Sequence, residues 1–129
     1  MLNGTKILIA EDSEINYFLL KELIGLSASD HYWARNGKEA LDLLSQKENI
    51  SLVLMDISMP VMDGITATRK IREKEINIPI IFQTAFDNQE SREQCFAAGG
   101  NEFLNKPLRR DSLTMVIKKY LLSNQHNIH

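Results

Sequence analysis

The sequence predicts an α/β domain built on a doubly wound parallel sheet. Short apolar runs, such as residues 7–10 and 52–55, alternate along the chain with segments whose apolar residues recur at helical spacing. Continuous apolar runs of this length indicate strands that are buried on both faces, as in a parallel sheet covered by helices. Strands that alternate with helices in this way predict helices on both faces of a five-stranded sheet, joined by right-handed crossovers.

Composition is that of one ordinary domain, which we expect to span residues 1–123, followed by a frayed tail at 124–129. The fraction of charged residues is 25% and the net charge is −2, and neither value indicates a surface that binds nucleic acid directly. The single cysteine, Cys95, excludes an internal disulfide, and no apolar stretch approaches the roughly 18 residues of a membrane span. We therefore expect a cytoplasmic segment without membrane insertion, although a longer parent chain is free to be membrane-anchored.

The first half of the chain predicts three strands and two helices. The first strand covers residues 6–10, and the first helix opens at the acidic, serine-containing residues 12–14. The apolar positions of this helix recur at helical spacing: Ile15, Phe18, Leu19, Leu23 and Leu26. A second strand at 31–35 precedes a second helix that fades at 47–49, and the third strand is 52–56.

The second half adds two strands and three helices. After a loop at 57–63, Gly64 opens the third helix, and the fourth strand is 80–84. The fourth helix, near 89–98, ends at a glycine pair and leads into the strand 102–104. The final helix is predicted by Leu113, Val116, Ile117, Tyr120 and Leu121. In the flavodoxin-like strand order 2-1-3-4-5, strands one and three are neighbours.

Carboxylates follow these two neighbouring strands at the point where each strand ends. Glu11 and Asp12 follow the first strand, and Asp56 closes the third. Ligands bind at this edge of open α/β sheets. Three carboxylates brought together repel one another, and at least one takes up a proton unless a metal or a lysine compensates. The pattern therefore predicts a divalent cation at this edge.

Four short stretches occur in a fixed order along the chain: Ile7 to Asp12, Met55 to Gly64, Thr84-Ala85 and Lys106-Pro107. Together they resemble the receiver (response-regulator) domains of two-component signalling. The resemblance covers nearly the whole chain, and the residues around Asp56 are most similar to receivers of hybrid histidine kinases.

The resemblance implies a role for each of these residues. Asp56 is the implied phosphoacceptor. The implied ligands of Mg²⁺, with Mn²⁺ as an alternative, are Glu11, Asp12, Asp56 and the backbone carbonyl of Ser58. Lys106 is implied as the point charge for one phosphoryl oxygen, and the Thr84 hydroxyl as the donor to another. The resemblance also implies that the Lys106-Pro107 bond is cis.

A conformational switch is also implied, with Thr84 and Phe103 as its residues. The resemblance also implies that Ser58 and Phe86 occupy the positions that tune the lifetime of the acyl phosphate. Phe103 carries no hydroxyl, so burial alone favours its inward rotamer. Gln83 departs from the strand pattern, because it puts an amide where an apolar or small residue is expected. A buried amide needs hydrogen-bond partners, and the alternative is a position at a partner surface.

The implied function is a phosphoacceptor switch whose chemistry is limited to self-phosphorylation from a donor and autodephosphorylation. The expected donor is a histidine kinase or a histidine phosphotransfer domain. The expected output passes through the face of the fourth helix, fifth strand and fifth helix to a downstream protein or to another domain of a parent chain. Dimerisation on phosphorylation is a further alternative.

Two other functions use the same topology. One is a Mg²⁺-dependent phosphatase or phosphotransferase that acts on an external substrate through an aspartyl phosphate, but no second acid follows two residues after Asp56. The other is a flavodoxin-like binding module, but the acidic residues 11–14 would repel the phosphate of a flavin.

Overall fold

The computed structural model describes residues 5–25, 30–85 and 87–126. Its five-stranded sheet has the order β2-β1-β3-β4-β5, and every neighbouring pair is parallel. The elements are β1 (Lys6–Ala10), α1 (Glu14–Ile24), β2 (Asp30–Ala34), α2 (Gly37–Gln46), β3 (Ile50–Asp56), α3 (Gly64–Glu73), β4 (Ile80–Thr84), α4 (Gln89–Ala98), β5 (Glu102–Asn105) and α5 (Arg110–His126). The predicted fold class and strand order are confirmed.

Side chains alternate between the two faces of the sheet, so the core has two layers. One layer, here called the α1–α5 side, joins α1 and α5 to strand residues Ile7, Ile9, Leu52, Leu54 and Ile81. The other, the α2–α4 side, joins α2, α3 and α4 to strand residues Leu8, Val53, Met55, Ile80 and Phe82. Strands buried on both faces explain the continuous apolar runs in the sequence.

The register brings the ends of the central strands together. Ala10 of β1 pairs with Met55 of β3, so the residues that follow each of them emerge at one edge. Gln83 of β4 pairs with Asp56, and Thr84 pairs with Asn105 of β5. We call this edge, where the strands end, the carboxyl edge, and the edge where they begin the amino edge.

Several predicted boundaries differ from the observed ones. β2 begins and ends one residue earlier than predicted, and β3 begins at Ile50, because both strands pair with Lys6 at the start of β1. β5 extends to Asn105, which pairs with the last residue of β4. α5 continues to His126, so the predicted tail is helical to that point, and residues 127–129 lie outside the described part. No helix among the described residues is long and apolar enough to cross a membrane.

Helix α1 buries a different face from the one that its apolar spacing indicated. Ser13 caps the helix as predicted. The buried residues are Tyr17, Leu20 and Ile24. The residues Ile15, Phe18 and Leu19 are exposed. Leu23 is partly buried, and Leu26 lies outside the described residues. Both faces of this helix are apolar, so periodicity alone could not choose between them. The Tyr17 ring stacks on Trp33 at 4.2 Å and orients the helix.

Candidate functional site

Three carboxylates converge at the carboxyl edge, beyond the ends of β1 and β3. Glu11, Asp12 and Asp56 each offer an oxygen that lies within 4.8 Å of the other two. Glu11 and Asp56 are buried, at 1% and 7% exposed, whereas Asp12 is exposed. The structure thus brings together the three acids that the ends of the strands predicted, with one of them open to solvent.

Lys106 reaches this cluster from the end of β5. Its Nζ lies 3.0 Å from Glu11 Oε1 and 3.3 Å from Asp56 Oδ2. Burial lowers the pKa of Lys106, but the hydrogen bond to Glu11 and the charges of Asp56 and Glu11 outweigh burial, so the pKa is raised. Lys106 is the one cation in ion-pair contact with these acids in the part of the chain that the structure describes.

The donor set fits a hard divalent cation. Three carboxylates against one ammonium leave two negative charges uncompensated at the carboxyl edge. Mg²⁺ prefers oxygen ligands and is commonly held by one or two carboxylates together with water. The cluster contains oxygen donors only, and exposed Asp12 leaves one side accessible. The cluster therefore has the composition, the charge and the access that Mg²⁺ requires.

Backbone hydrogen bonds hold the two buried carboxylates in place. Asp56 Oδ1 accepts from the Ile57 N–H at 2.8 Å, and Glu11 Oε2 accepts from the Ser13 N–H at 3.1 Å. The Trp33 indole Nε1 donates to the Glu11 carbonyl at 2.8 Å, which links the site to β2. These carboxylates are therefore oriented by the fold itself.

Gly64 permits the close approach of α3 to the site. Its N–H donates to the Ile57 carbonyl at 2.9 Å, and a Cβ atom at this position would lie 2.0 Å from the Asp56 carbonyl oxygen. The sequence identified Gly64 as the start of a helix and as the end of one stretch that resembles receiver domains, but it indicated no contact for this residue. The contact that requires glycine joins the start of α3 to the end of β3, and periodicity carries no signal for it.

Thr84 and Lys106 are joined through the backbone at the ends of β4 and β5. Thr84 is buried, and its carbonyl accepts from the Lys106 N–H at 2.7 Å. The Lys106-Pro107 peptide bond is cis. The structure therefore places both residues at the carboxyl edge, where the resemblance implied them.

A network of exposed polar side chains that the sequence did not predict connects α4 to β5. Asp87 accepts from Arg92 Nε at 2.9 Å and Nη2 at 3.1 Å, and from Asn105 Nδ2 at 2.9 Å. These hydrogen bonds, first that of Arg92 and then that of Asn105, lower the pKa of Asp87. The Arg92 guanidinium also lies 5.2 Å from the ring centre of Phe103, which is half-buried. The predicted switch aromatic is therefore covered by a residue of this network.

An open groove of about 760 Å³ gives access to the acidic cluster from the α2–α4 side. Asp12, Ser58, Thr66 and Gln94 are among the residues that line it. Ser58, which was predicted to tune the lifetime of the acyl phosphate, is exposed to solvent. Phe86, the second residue predicted to tune the lifetime, lies outside the described residues.

Gln83 is buried at the end of β4, with 1% of its surface exposed. Neither its Nε2 nor its Oε1 has a hydrogen-bond partner among the described residues. Gln83 is therefore buried, and the hydrogen-bond partners that a buried amide needs are not among the described residues.

The fold and the site together define a class of protein: a doubly wound α/β domain with a carboxylate site for a divalent cation at the carboxyl edge of its sheet. Within this class, the chain belongs to the family described as "Response regulator receiver domain", whose family model matches residues 7–118. It is a receiver domain of two-component phosphorelay signalling.

The chain is similar to several proteins of such systems. It is 32% identical over 128 residues to the osmosensing histidine protein kinase SLN1 of Saccharomyces cerevisiae, covering 95% of this chain but only 10% of SLN1. It is 32% identical, with a TM-score of 0.81, to the receiver domain of the Pseudomonas aeruginosa kinase PA1611, whose structure has magnesium in the active-site cleft; the match covers 90% of this chain and 96% of that one.

A second solved structure shows a relative with a partner. The receiver domain of Saccharomyces cerevisiae Ssk1, in complex with the phosphotransfer protein Ypd1, is 26% identical with a TM-score of 0.85. The match covers 93% of this chain and 90% of that receiver chain.

Proposed function

We propose that Asp56 accepts a phosphoryl group from a phosphohistidine and that the domain then changes the surface it offers to partners. The observation that carries this proposal is the convergence of Asp56 with Glu11, Asp12 and Lys106. A buried carboxylate with a cation at 3.3 Å and an access groove beside it is suited to attack on phosphorus.

In the proposed step, an Asp56 oxygen forms a bond to phosphorus while the P–N bond to the donor histidine breaks and that imidazole leaves. The Lys106 ammonium is already hydrogen-bonded to Asp56, so after the transfer it donates to a phosphoryl oxygen on the same side chain. The Thr84 hydroxyl then turns towards a second phosphoryl oxygen.

Mg²⁺, with Mn²⁺ as an alternative, would be held by Glu11, Asp12, Asp56 and the Ser58 carbonyl, and when bound it screens the phosphoryl charge. The magnesium in the PA1611 receiver supports this assignment.

We assign the docking of the histidine donor to the exposed face of α1. Ile15, Phe18 and Leu19 are large apolar residues exposed on the helix that begins directly after the acidic pair. Adjacent exposed apolar residues of this kind mark interaction surfaces. The Ssk1 receiver in complex with Ypd1 supports a phosphotransfer domain, or the equivalent domain of a kinase, as the partner.

The response would pass from Thr84 to the network of Asp87, Arg92 and Asn105. A Thr84 hydroxyl that turns towards the phosphoryl group moves the segment that leads to Asp87, and Asp87 holds Arg92 over Phe103. The output face is then that of α4, β5 and α5, read by a downstream protein, by another domain of a longer chain, or by a second copy.

Intact-mass measurement after incubation with acetyl phosphate and Mg²⁺ tests the phosphoacceptor. We expect the wild type to gain one phosphoryl group, about 80 Da, and Asp56→Asn to gain none. Asp63→Asn is the matched control, because Asp63 caps α3 and asparagine caps helices equally well. An Asp56→Asn variant that takes up phosphoryl groups in the yield of the wild type would end the proposal.

The donor surface needs a separate test. Phe18→Asp should lose phosphoryl transfer from a phosphorylated histidine phosphotransfer protein but retain uptake from acetyl phosphate. Met115→Asp is the control, because it places the same charge at an exposed apolar position of α5. Equal loss of transfer in both variants would contradict the assignment to α1.

Amide NMR spectra with a beryllofluoride mimic test the response. We expect shifts in the wild type to extend from Asp56 to Phe103 and Arg92, whereas in Thr84→Ala they stay near Asp56. Remote shifts of full size in Thr84→Ala would show that the hydroxyl does not carry the signal.

A further inference from the structure

A second cavity, of about 590 Å³, lies on the α1–α5 side of the sheet. Its walls are largely apolar, formed by Leu20 and Leu23 of α1 and by Pro107 and Leu108 after β5. Small-molecule sites typically occupy roughly 300–1,000 Å³ and combine apolar walls with a few placed polar groups. The volume and the walls of this cavity match that description, and it lies on the other side of the sheet from the groove beside Ser58.

Among the residues that line this cavity, Gln83 is the one polar residue that is buried. Side chains alternate along a strand, and Ile81 belongs to the α1–α5 side, so Gln83, two residues later, points to that side and lines the cavity. Its Nε2 and Oε1 have no partner among the described residues, although the residue is 1% exposed. An unpaired buried amide costs free energy that an apolar side chain at this position would avoid. Gln83 therefore places in the wall of the cavity an amide whose N–H donors and carbonyl acceptor, side by side, have no partner among the described residues.

We propose that this cavity binds a small neutral molecule with an apolar body and a primary amide or lactam group that pairs with the amide of Gln83. An amide supplies an acceptor for Nε2 and a donor for Oε1 in one plane, which is the complement of the glutamine group. The ammonium of Lys106, which also lines the cavity, is already paired with Glu11 and Asp56. Glu22 lies on the wall and would repel an anion, so a neutral ligand is favoured over a carboxylic acid.

Such a ligand would contact chain segments that serve the phosphoacceptor site. Ala85, directly after Thr84, and Lys106 both line the cavity. The contact places an occupant beside the two strand ends that the proposed response uses, without touching the acidic cluster itself. Binding at this cavity can be measured on the unphosphorylated protein, so its outcome does not depend on the phosphoacceptor role of Asp56.

Benzamide is a suitable probe, because it joins a small aromatic body to a primary amide. In a two-dimensional NMR titration we expect saturable shifts of the Gln83 side-chain amide and of the backbone amides of Ala85 and Leu108. N,N-dimethylbenzamide has the ring and the carbonyl but no N–H, and we expect it to bind about tenfold more weakly than benzamide. Equal affinities for the two compounds, or the absence of saturable shifts at these residues, would overturn the proposal and indicate a cavity that holds only water.

The variant Gln83→Met keeps the size of the side chain and removes both polar atoms. We expect it to bind benzamide about tenfold more weakly than the wild type and to bind N,N-dimethylbenzamide as the wild type does. Gln46→Met is the matched control, because it makes the same change at the exposed end of α2, and its affinity for benzamide should equal that of the wild type. Unchanged benzamide affinity in Gln83→Met would refute the pairing. Should this variant fail to fold, the comparison of the two compounds on the wild type decides.

Discussion

At the amino edge of the sheet one arginine satisfies a whole set of acceptors, whereas at the carboxyl edge one lysine faces three carboxylates. Arg72 of α3 donates to the Gly99 carbonyl at 3.0 and 2.7 Å, to the Ile76 carbonyl at 2.8 Å, and to Asn101 Oδ1 at 2.9 Å. The same Asn101 oxygen accepts from the Ile80 N–H at 2.8 Å. The amino edge thus closes the ends of α3 and α4 with direct hydrogen bonds.

This difference separates groups that stabilise the fold from groups that bind a ligand. Burial lowers the pKa of Arg72, but its donors are used on backbone and side-chain oxygens, which compensates for burial. The acids at the carboxyl edge keep two charges that no described residue neutralises. Charge left uncompensated in a fold is available to a ligand, so we expect substitutions at the two edges to affect different properties.

The largest expected effect is at the amino edge, where Arg72→Ala should lower the free energy of unfolding by about 3 kcal/mol. The substitution leaves the carbonyls of Gly99 and Ile76 without their charged donor. Chemical denaturation measures the loss, with Arg109→Ala as the control because Arg109 is exposed. Below its unfolding transition, Arg72→Ala should still take up phosphoryl groups from acetyl phosphate; a folded variant without uptake would show that the edges are coupled.

At the carboxyl edge, Asp12→Ala should weaken Mg²⁺ binding about tenfold or more, which is about 1.4 kcal/mol or more. In the absence of metal it should not lower the free energy of unfolding, because it removes one of three mutually repelling carboxylates. Calorimetry measures the affinity, and fluorescence of Trp33, the single tryptophan, reports on the site through its hydrogen bond to Glu11. The control Asp63→Asn should bind as the wild type does; equal weakening in both would place the metal elsewhere.

The sequence predicted the carboxyl edge better than the amino edge. Buried parallel strands are continuous apolar runs, so β4 was predicted to the residue, and acids at the ends of β1 and β3 had to meet once the strand order was known. Arg72 stands in an amphipathic helix, where arginine is ordinarily a surface residue. Its partner Gly99 lies 27 residues further along the chain, and no local pattern links the two.

The face of α1 and the surroundings of Gln83 escaped prediction for a related reason. α1 has apolar residues on both sides, and the stacking of Tyr17 on Trp33 decides which side is buried. Gln83 was recognised as a departure from the strand pattern, but only the packing of α1 against the segment after β5 shows that its amide faces a cavity. Contacts between elements that are distant in sequence determine both features. A periodic pattern predicts only the type of element in which it occurs, not the contacts of that element.

A backbone conformation near the carboxyl edge, that of Val61, predicts a moderate change in the free energy of unfolding. Val61, in the loop beside the acidic cluster, has φ 68 and is 80% exposed. The other positive-φ residues in the described part of the chain are Gly25, Asn49, Glu75 and Gly99, none of them β-branched. A β-branched residue is strained in the left-handed region, so Val61→Asn should raise the free energy of unfolding by about 1 kcal/mol. Val61→Ile, which keeps the branch, should leave it unchanged; a gain of equal size in both variants would argue against backbone strain.

The smallest expected effect concerns a tyrosine at the amino edge. The Tyr120 hydroxyl donates to Glu102 Oε2 at 2.7 Å, and burial, followed by the hydrogen bond and charge of Glu102, raises its pKa to about 12 from the ordinary 10.0. Because the folded pKa is the higher one, this contribution to stability is complete below the unfolded pKa and is lost as the pH rises through the folded pKa.

Ultraviolet titration of the wild type against Tyr120→Phe isolates this group from the other two tyrosines. Glu102→Gln should return the pKa towards 10.0, whereas Lys119→Met, which removes only the cation 3.4 Å from Glu102, should not lower it. A Tyr120 pKa that Glu102→Gln leaves unchanged would show that burial alone raises it.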